Sequence, residues 1–201
     1  MTTRRIASLS LAGMALAASL CTALPAMAQN ATPKVQLKTS MGDIVLELNE
    51  AKAPKTVANF MQYVRDKHYD GTVFHRVMDG FMIQGGGMDA SLKEKPTRAP
   101  IPLEADNGLK NDRGTIAMAR TGNPNSATSQ FFINTNDNAG LDYPGEDGHG
   151  YAVFGRVVKG FETVDKIKNV VVDDVRGMQN VPVVPVVIQD ATLLSGDKLV
   201  K

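Results

Sequence analysis

From Val35 onward the chain is a succession of short β-type runs broken by glycine, asparagine and proline, with two stretches of helical period among them. Many short strands with two lone helices predict a β-barrel. Val35-Gln36-Leu37-Lys38-Thr39 and Ile44-Val45-Leu46-Glu47-Leu48 alternate apolar and polar on either side of a Met41-Gly42 turn, which reads as an amphipathic hairpin. Pro54 stands where a first helical turn tolerates proline. Val57, Phe60, Met61 and Val64 then recur at three- and four-residue intervals, predicting a helix up to Asp66.

β-type runs return from Thr72 to Gln84, Gly85-Gly86-Gly87 reads as a flexible elbow, and Asp89 to Arg113 reads as a long surface loop. Further strands are expected at Gly114–Ala119, Phe131–Asn134 and Tyr151–Val158, separated by loops at Thr121–Asn125 and Asn136–Gly150. A second helix is expected over Phe161–Lys168. Val183–Ile188 is strand-like, although Pro185 removes a ladder donor and favours an edge or a bulge. There is no internal repeat.

The opening residues follow another logic. Arg4 and Arg5 precede an apolar run from Ile6 to Leu24 and then Pro25-Ala26-Met27-Ala28, the layout of a secretory signal peptide spanning residues 1–28 and cut after Ala28. Ser8, Ser10, Gly13, Ser19 and Thr22 interrupt the run and no basic flank follows it, which argues against a membrane anchor. Residues 29–201 are then one domain. Cys21 leaves with the leader, so a cysteine-free chain entering an oxidising compartment must hold together by packing alone. The bacterial periplasm fits that reading.

Chemistry is limited by what is present. Lys and Arg total 22 against 21 Asp and Glu, a formal net charge of +1, which argues against nucleic acid as a partner. His68, His75 and His149 show no metal-ligand spacing, and no cofactor is expected. His75 reads as a hydrogen-bonded structural residue, His68 and His149 as solvated loop residues. Ser126 and Ser129 lack a Gly-x-Ser-x-Gly elbow. The triple glycine lacks the Lys-Ser/Thr of a phosphate cradle. What remains is Phe74-His75-Arg76 with Phe81-Met82-Ile83-Gln84 on one segment, and Ser129-Gln130-Phe131-Phe132-Ile133-Asn134 on another. By periodicity alone these form an ordinary core, with Arg76 snorkelling or paired to a surface acid.

At these residues the chain resembles the cyclophilins, a family of peptidyl-prolyl cis-trans isomerases. The run from Phe74 to Gly86 is similar to the family signature, as are Gly114–Ala119, Ser129–Asn134 and Tyr151–Val157, in family order. Met118-Ala119-Arg120-Thr121 is most similar to the periplasmic bacterial branch. The resemblance implies a closed eight-stranded antiparallel β-barrel capped by two α-helices. It implies Arg76 as the catalytic residue and Phe81, Met82, Phe132 and Leu141 as a proline pocket. Gln84 and Gln130 would supply polar contacts, the backbone around Ala119 and Arg120 would hold the substrate chain, and Tyr151 would pack beside the pocket. The implied partners are proline-containing exported polypeptides, bound by a monomer that is free of the membrane once its leader is cut. Gly140 and Tyr151 stand where better-known eukaryotic members carry tryptophan and histidine, so weak binding of cyclosporin is expected. A binding or holdase module using the same groove is the rival from another class.

Overall fold

The computed structural model describes residues 32–195 and 198–199. The expected leader and its cleavage after Ala28 lie outside the described residues. In chain order the elements are β1 (Lys34–Thr39), β2 (Gly42–Leu48), α1 (Pro54–Arg65), β3 (Thr72–Met78), β4 (Met82–Asp89), β5 (Thr115–Met118), β6 (Phe131–Asn134) and β7 (Val153–Lys159). α2 (Phe161–Lys168), β8 (Val172–Val175), β9 (Met178–Pro182), β10 (Val187–Ser195) and β11 (Lys198–Leu199) follow. Among the described residues eight strands close an antiparallel ring in the order β1-β2-β7-β5-β6-β4-β3-β10, with β10 returning onto β1 from Lys34↔Leu194 to Lys38↔Asp190. β11 extends from the end of β10, and β8 and β9 form a separate hairpin.

Closure gives every strand an inside. Val35, Leu37, Ile44, Leu46 and Leu48 fill it from β1 and β2, while Lys38 and Asp43 face water. α1 adds Val57, Phe60 and Val64 to the core. The Phe60 ring lies 5.0 Å from Tyr69, 5.2 Å from Phe154 and 5.6 Å from Phe131, so one side chain joins helix and barrel. α2 buries Thr163, Val164 and Ile167.

α1 begins after Ala53, which has no side-chain cap to offer. The cap comes from far along the chain: Glu104 accepts from the backbone N–H of Lys55 (3.1 Å) and Thr56 (2.8 Å) and from the Thr56 hydroxyl (2.7 Å). A carboxylate so placed satisfies orphan donors and meets the positive end of the helix dipole, worth about 1 kcal/mol. The expected surface loop after Asp89 is therefore fastened to the barrel. Arg98 N–H also donates to the Tyr63 hydroxyl (2.7 Å), and Lys95 Nζ donates to the Asp70 carbonyl (3.1 Å).

The triple glycine is not an elbow. It lies inside β4, and a Cβ on Gly86, where φ is +85°, would sit 2.8 Å from the Phe131 ring, while one on Gly87 would sit 2.4 Å from Gln130 Cγ. These glycines are places where neighbouring side chains occupy the room a side chain would need. The terminal strand also starts later than its composition predicts. After Pro185 the ladder runs from Val187 to Ser195, and Val183 N–H instead donates to Val171 O (2.9 Å) next to the unforeseen β8–β9 hairpin.

His68 is another correction, because it is buried, with Nε2 3.2 Å from the Gly86 carbonyl. Burial lowers its pKa, helped by Lys95, and burial lowers that of His75, helped by Arg76. The unfolded chain takes up a proton at each near pH 6.5 while the fold resists it. Their contribution to stability is thus full above about pH 6.5 and is lost as pH falls toward the lower folded-state values, with a slope of up to about 1.4 kcal/mol per pH unit for each histidine. Thermal unfolding followed downward from neutral pH should show Tm falling below about pH 6.5, and His68→Gln should flatten part of that slope.

Candidate active site

A strand with one face in the core should alternate, yet β6 is buried at all of Phe131, Phe132, Ile133 and Asn134. Phe131 and Ile133 enter the barrel interior, whereas Phe132 joins Met82, Ala117 and Val153 in a second, smaller apolar cluster. Cross-strand register places these residues in a row. Arg76 is opposite Gln84, Gln84 opposite Phe132, Phe132 opposite Ala117 and Ala117 opposite Val153. Two polar side chains thereby stand at one end of an apolar shelf on the outside of the barrel.

Arg76 reaches that face through a bulge. Phe74 pairs with Gly85 and Arg76 with Gln84, so two residue steps on β3 answer one on β4 and His75 is the extra residue. Regular alternation would put Arg76 on the same face as Phe74, inside the barrel. The bulge reverses the parity, leaving Phe74 and Val77 in the core and Arg76 beside the shelf. Nη2 of Arg76 lies 3.2 Å from the Met78 sulfur, and no carboxylate among the described residues comes within ion-pair distance of it. The surface acid expected from periodicity does not pair with it. Its strong donors remain available to a ligand.

A cleft of about 110 Å³ opens on the shelf, lined by Arg76, Phe81, Met82, Gln84, Ala119, Arg120, Phe132, Leu141 and Tyr151. Gln130 stands just behind, its Oε1 accepting from Gln84 Nε2 at 3.0 Å, which orients the Gln84 amide. The ten residues that the resemblance implied for the site are thus brought to one place, while Phe74, Phe131 and Ile133 of the same segments lie in the core. The space is that of three to four waters, at about 30 Å³ each.

Arg120 has a structural occupation beyond its backbone. Its side chain is 2% exposed, donates to Gly150 O (2.7 Å) and Thr121 O (3.0 Å) and pairs with Asp147. Asp147 is held well below the usual carboxylate range by that hydrogen bond first, then by the N–H groups of Gly150 and His149. The guanidinium also lies 4.3 Å from the centre of the Tyr151 ring, which meets Phe132 edge-on at 5.7 Å. Arg120 therefore fixes one wall of the cleft.

The opposite fastening was not foreseen. Asn138 Nδ2 donates to the Phe81 carbonyl (2.8 Å) and to Asn134 Oδ1 (2.7 Å). Asn134 Nδ2 donates in turn to Asn111 Oδ1 (3.2 Å), and Asn111 N–H to Asp142 Oδ1 (2.7 Å). Asn111 and Asn134 are buried, so each unmet polar atom would be costly and the three amides hold the loop bearing Leu141 against β6. Only the recurrence of asparagine hinted at this, since no spacing signals it. A larger open groove, of about 900 Å³, runs along β7 and Phe161, but its Arg113 and Arg156 are already paired with Asp165 and Glu47. Among the described residues no group of three His, Cys, Asp or Glu could hold a metal.

Comparison with known proteins places this geometry. The family model for cyclophilin type peptidyl-prolyl cis-trans isomerase matches residues 34–193. The chain is 60% identical over 162 residues to the peptidyl-prolyl cis-trans isomerase cyp18 of Streptomyces antibioticus, covering 80% of this chain and 98% of that protein. It is 52% identical over 184 residues to peptidyl-prolyl cis-trans isomerase A of Dickeya dadantii, covering 92% and 96%. Among solved structures, a cyclophilin type peptidyl-prolyl cis-trans isomerase of Cryptosporidium parvum superposes with a TM-score of 0.69 at 29% identity, covering 83% of this chain and 99% of that one.

The contact between Gly87 and Gln130 yields a test of how the cleft is held. Gly87→Ala should push Gln130 off its position, destabilise the fold by roughly 1–3 kcal/mol as overpacking does, and shift the side-chain amide resonances of both Gln84 and Gln130. Unmoved amide signals in a folded variant would show that Gly87 does not set the pair.

Proposed function

The chain belongs to the cyclophilin-type peptidyl-prolyl cis-trans isomerases, and from that premise we propose that Arg76 is its catalytic residue and that its substrates are exported polypeptides folding in the periplasm. As an isomerase of X-Pro bonds it acts on proline-containing chains. The observation that carries the assignment of Arg76 is a guanidinium with no carboxylate partner among the described residues, at the edge of a cleft whose floor is Met82 and Phe132.

The chemistry asks for little else. An X-Pro bond resists rotation by about 18–20 kcal/mol because the nitrogen lone pair is delocalised into the carbonyl. Twisting localises that pair on a pyramidal nitrogen, and a donor aimed at it favours the twisted state over the planar one. Arginine suits this task because it stays protonated at every physiological pH. Met82, Phe132, Phe81 and Leu141 hold the ring while the residues before it swing, and their exclusion of water strengthens the Arg76 contact. Gln84 and Gln130 bind the substrate's amide groups, and the backbone at Ala119 and Arg120 guides the chain. Bringing exchange from tens of seconds to milliseconds is about 10⁴-fold, or about 5.5 kcal/mol off the barrier.

The basic and apolar leader before Gln29 supports export, after which the protein acts as a monomer away from the membrane. No helix among the described residues is long and apolar enough to cross a bilayer.

The rate of cis-to-trans conversion in a short X-Pro peptide tests the assignment. Wild type should accelerate it strongly, and Arg76→Ala should lose about 10²–10³-fold, the size of removing one transition-state donor, with unchanged thermal unfolding. Catalysis surviving in the folded variant would remove Arg76 from the mechanism, and a folded wild type without catalysis would favour the binding module. Cyclosporin should inhibit only weakly, because Gly140 offers no aromatic donor in the hollow that adjoins the cleft. Nanomolar inhibition would refute that.

A further inference from the structure

Gly140 leaves a space, and its neighbours define what the space is for. Beside the proline cleft lies a hollow of about 410 Å³, which shares Phe81, Leu141 and Tyr151 with that cleft. The two therefore adjoin across these three side chains. A Cβ on Gly140 would sit 3.1 Å from Glu146 Oε1, so the Glu146 carboxylate stands over the position a larger residue would fill.

The charges around this hollow are unbalanced. Asp147 is committed to Arg120 and to the N–H groups of His149 and Gly150, and Asp142 to Asn111 and Lys110. Glu146 forms none of the ion pairs and accepts none of the side-chain hydrogen bonds found among the described residues, and no basic residue lines the hollow. An apolar wall with one uncommitted carboxylate above it suits a long cationic side chain, whose methylenes lie on Leu141 and Tyr151 while its head meets the acid.

We propose that this hollow is a specificity subsite in which Glu146 selects a lysine or arginine one or two residues from the substrate proline. The proposal takes the proline ring to lie in the 110 Å³ cleft, as the reading of the site above has it. Glu146 touches no reacting atom; it sets which chains dwell in the groove.

The test uses the full protein without its leader and a set of X-Pro peptides carrying Lys, Ala or Glu at each of the two positions before and after proline. For each enzyme variant the ratios of kcat/KM for Lys over Ala and for Glu over Ala are taken, so that any general change in activity cancels. Wild type should favour Lys over Ala by about threefold to fivefold at one of these positions, the size of a partly exposed ion pair, with the preference fading at high salt. Glu146→Gln should bring the ratio to one, and Glu146→Lys should invert the order so that Glu peptides lead. An Arg76→Ala loss with no charge preference in wild type would overturn the subsite while leaving the catalytic assignment standing. A Lys preference that persists in Glu146→Gln would overturn it as well.

Discussion

Closing the sheet on itself decides almost everything else in this molecule. Once β10 pairs with β1, each strand has one face that must be apolar and one that water should claim, and a single step of register moves a side chain from one to the other. The functional face is where that rule is broken in both directions. Phe132, Met82, Ala117 and Val153 are apolar residues on the outside. Arg76 stands among them because one extra residue, His75, is inserted into β3. A barrel is a good foundation for such exceptions, since its interior is filled by Phe131, Ile133, Phe154 and their neighbours whatever happens on the outer face.

Holding that face to one geometry falls to polar contacts. The loop bearing Leu141 is tied to β6 by Asn138, Asn134 and Asn111, and the loop bearing Tyr151 is tied to the end of β5 by Arg120. Behind Gln84 stands Gln130, in the room that Gly87 leaves free. Amides and a guanidinium thus tie these loops to the barrel alongside the packing of Leu141 and Tyr151 on Met82 and Phe132, and the Arg76 guanidinium is left without a carboxylate partner among the described residues.

What was legible in the sequence was whatever local periodicity or a contiguous motif could carry. The hairpin from Val35 to Leu48, both helices and the strand at Phe131–Asn134 appear as read, because each is specified by residues a few places apart. The candidate site residues were read through the family resemblance of contiguous blocks such as Phe81-Met82-Ile83-Gln84, and by periodicity alone the same residues read as core. The misread parts share a cause. Glu104 caps a helix 48 residues before it, Gly86 is small because of Phe131, and His68 is buried by contact with Gly86. None of these partners is near in sequence, and a glycine required by close packing looks the same on paper as one required by flexibility.

Rigidity of this kind matches what the reaction needs. Rotation about an X-Pro bond forms and breaks no covalent bond, so the enzyme has only geometry and electrostatics with which to distinguish the twisted amide from the planar ones. A donor that had to reorganise as the bond turned would lose much of its advantage, whereas one held in place meets the localised lone pair without further cost. The bulge at His75 fixes the strand position from which Arg76 projects, and Met78 fixes one edge of its guanidinium. In the proposed reading the substrate is the moving part, its proline ring resting on the shelf made by Met82 and Phe132 while the preceding residues turn.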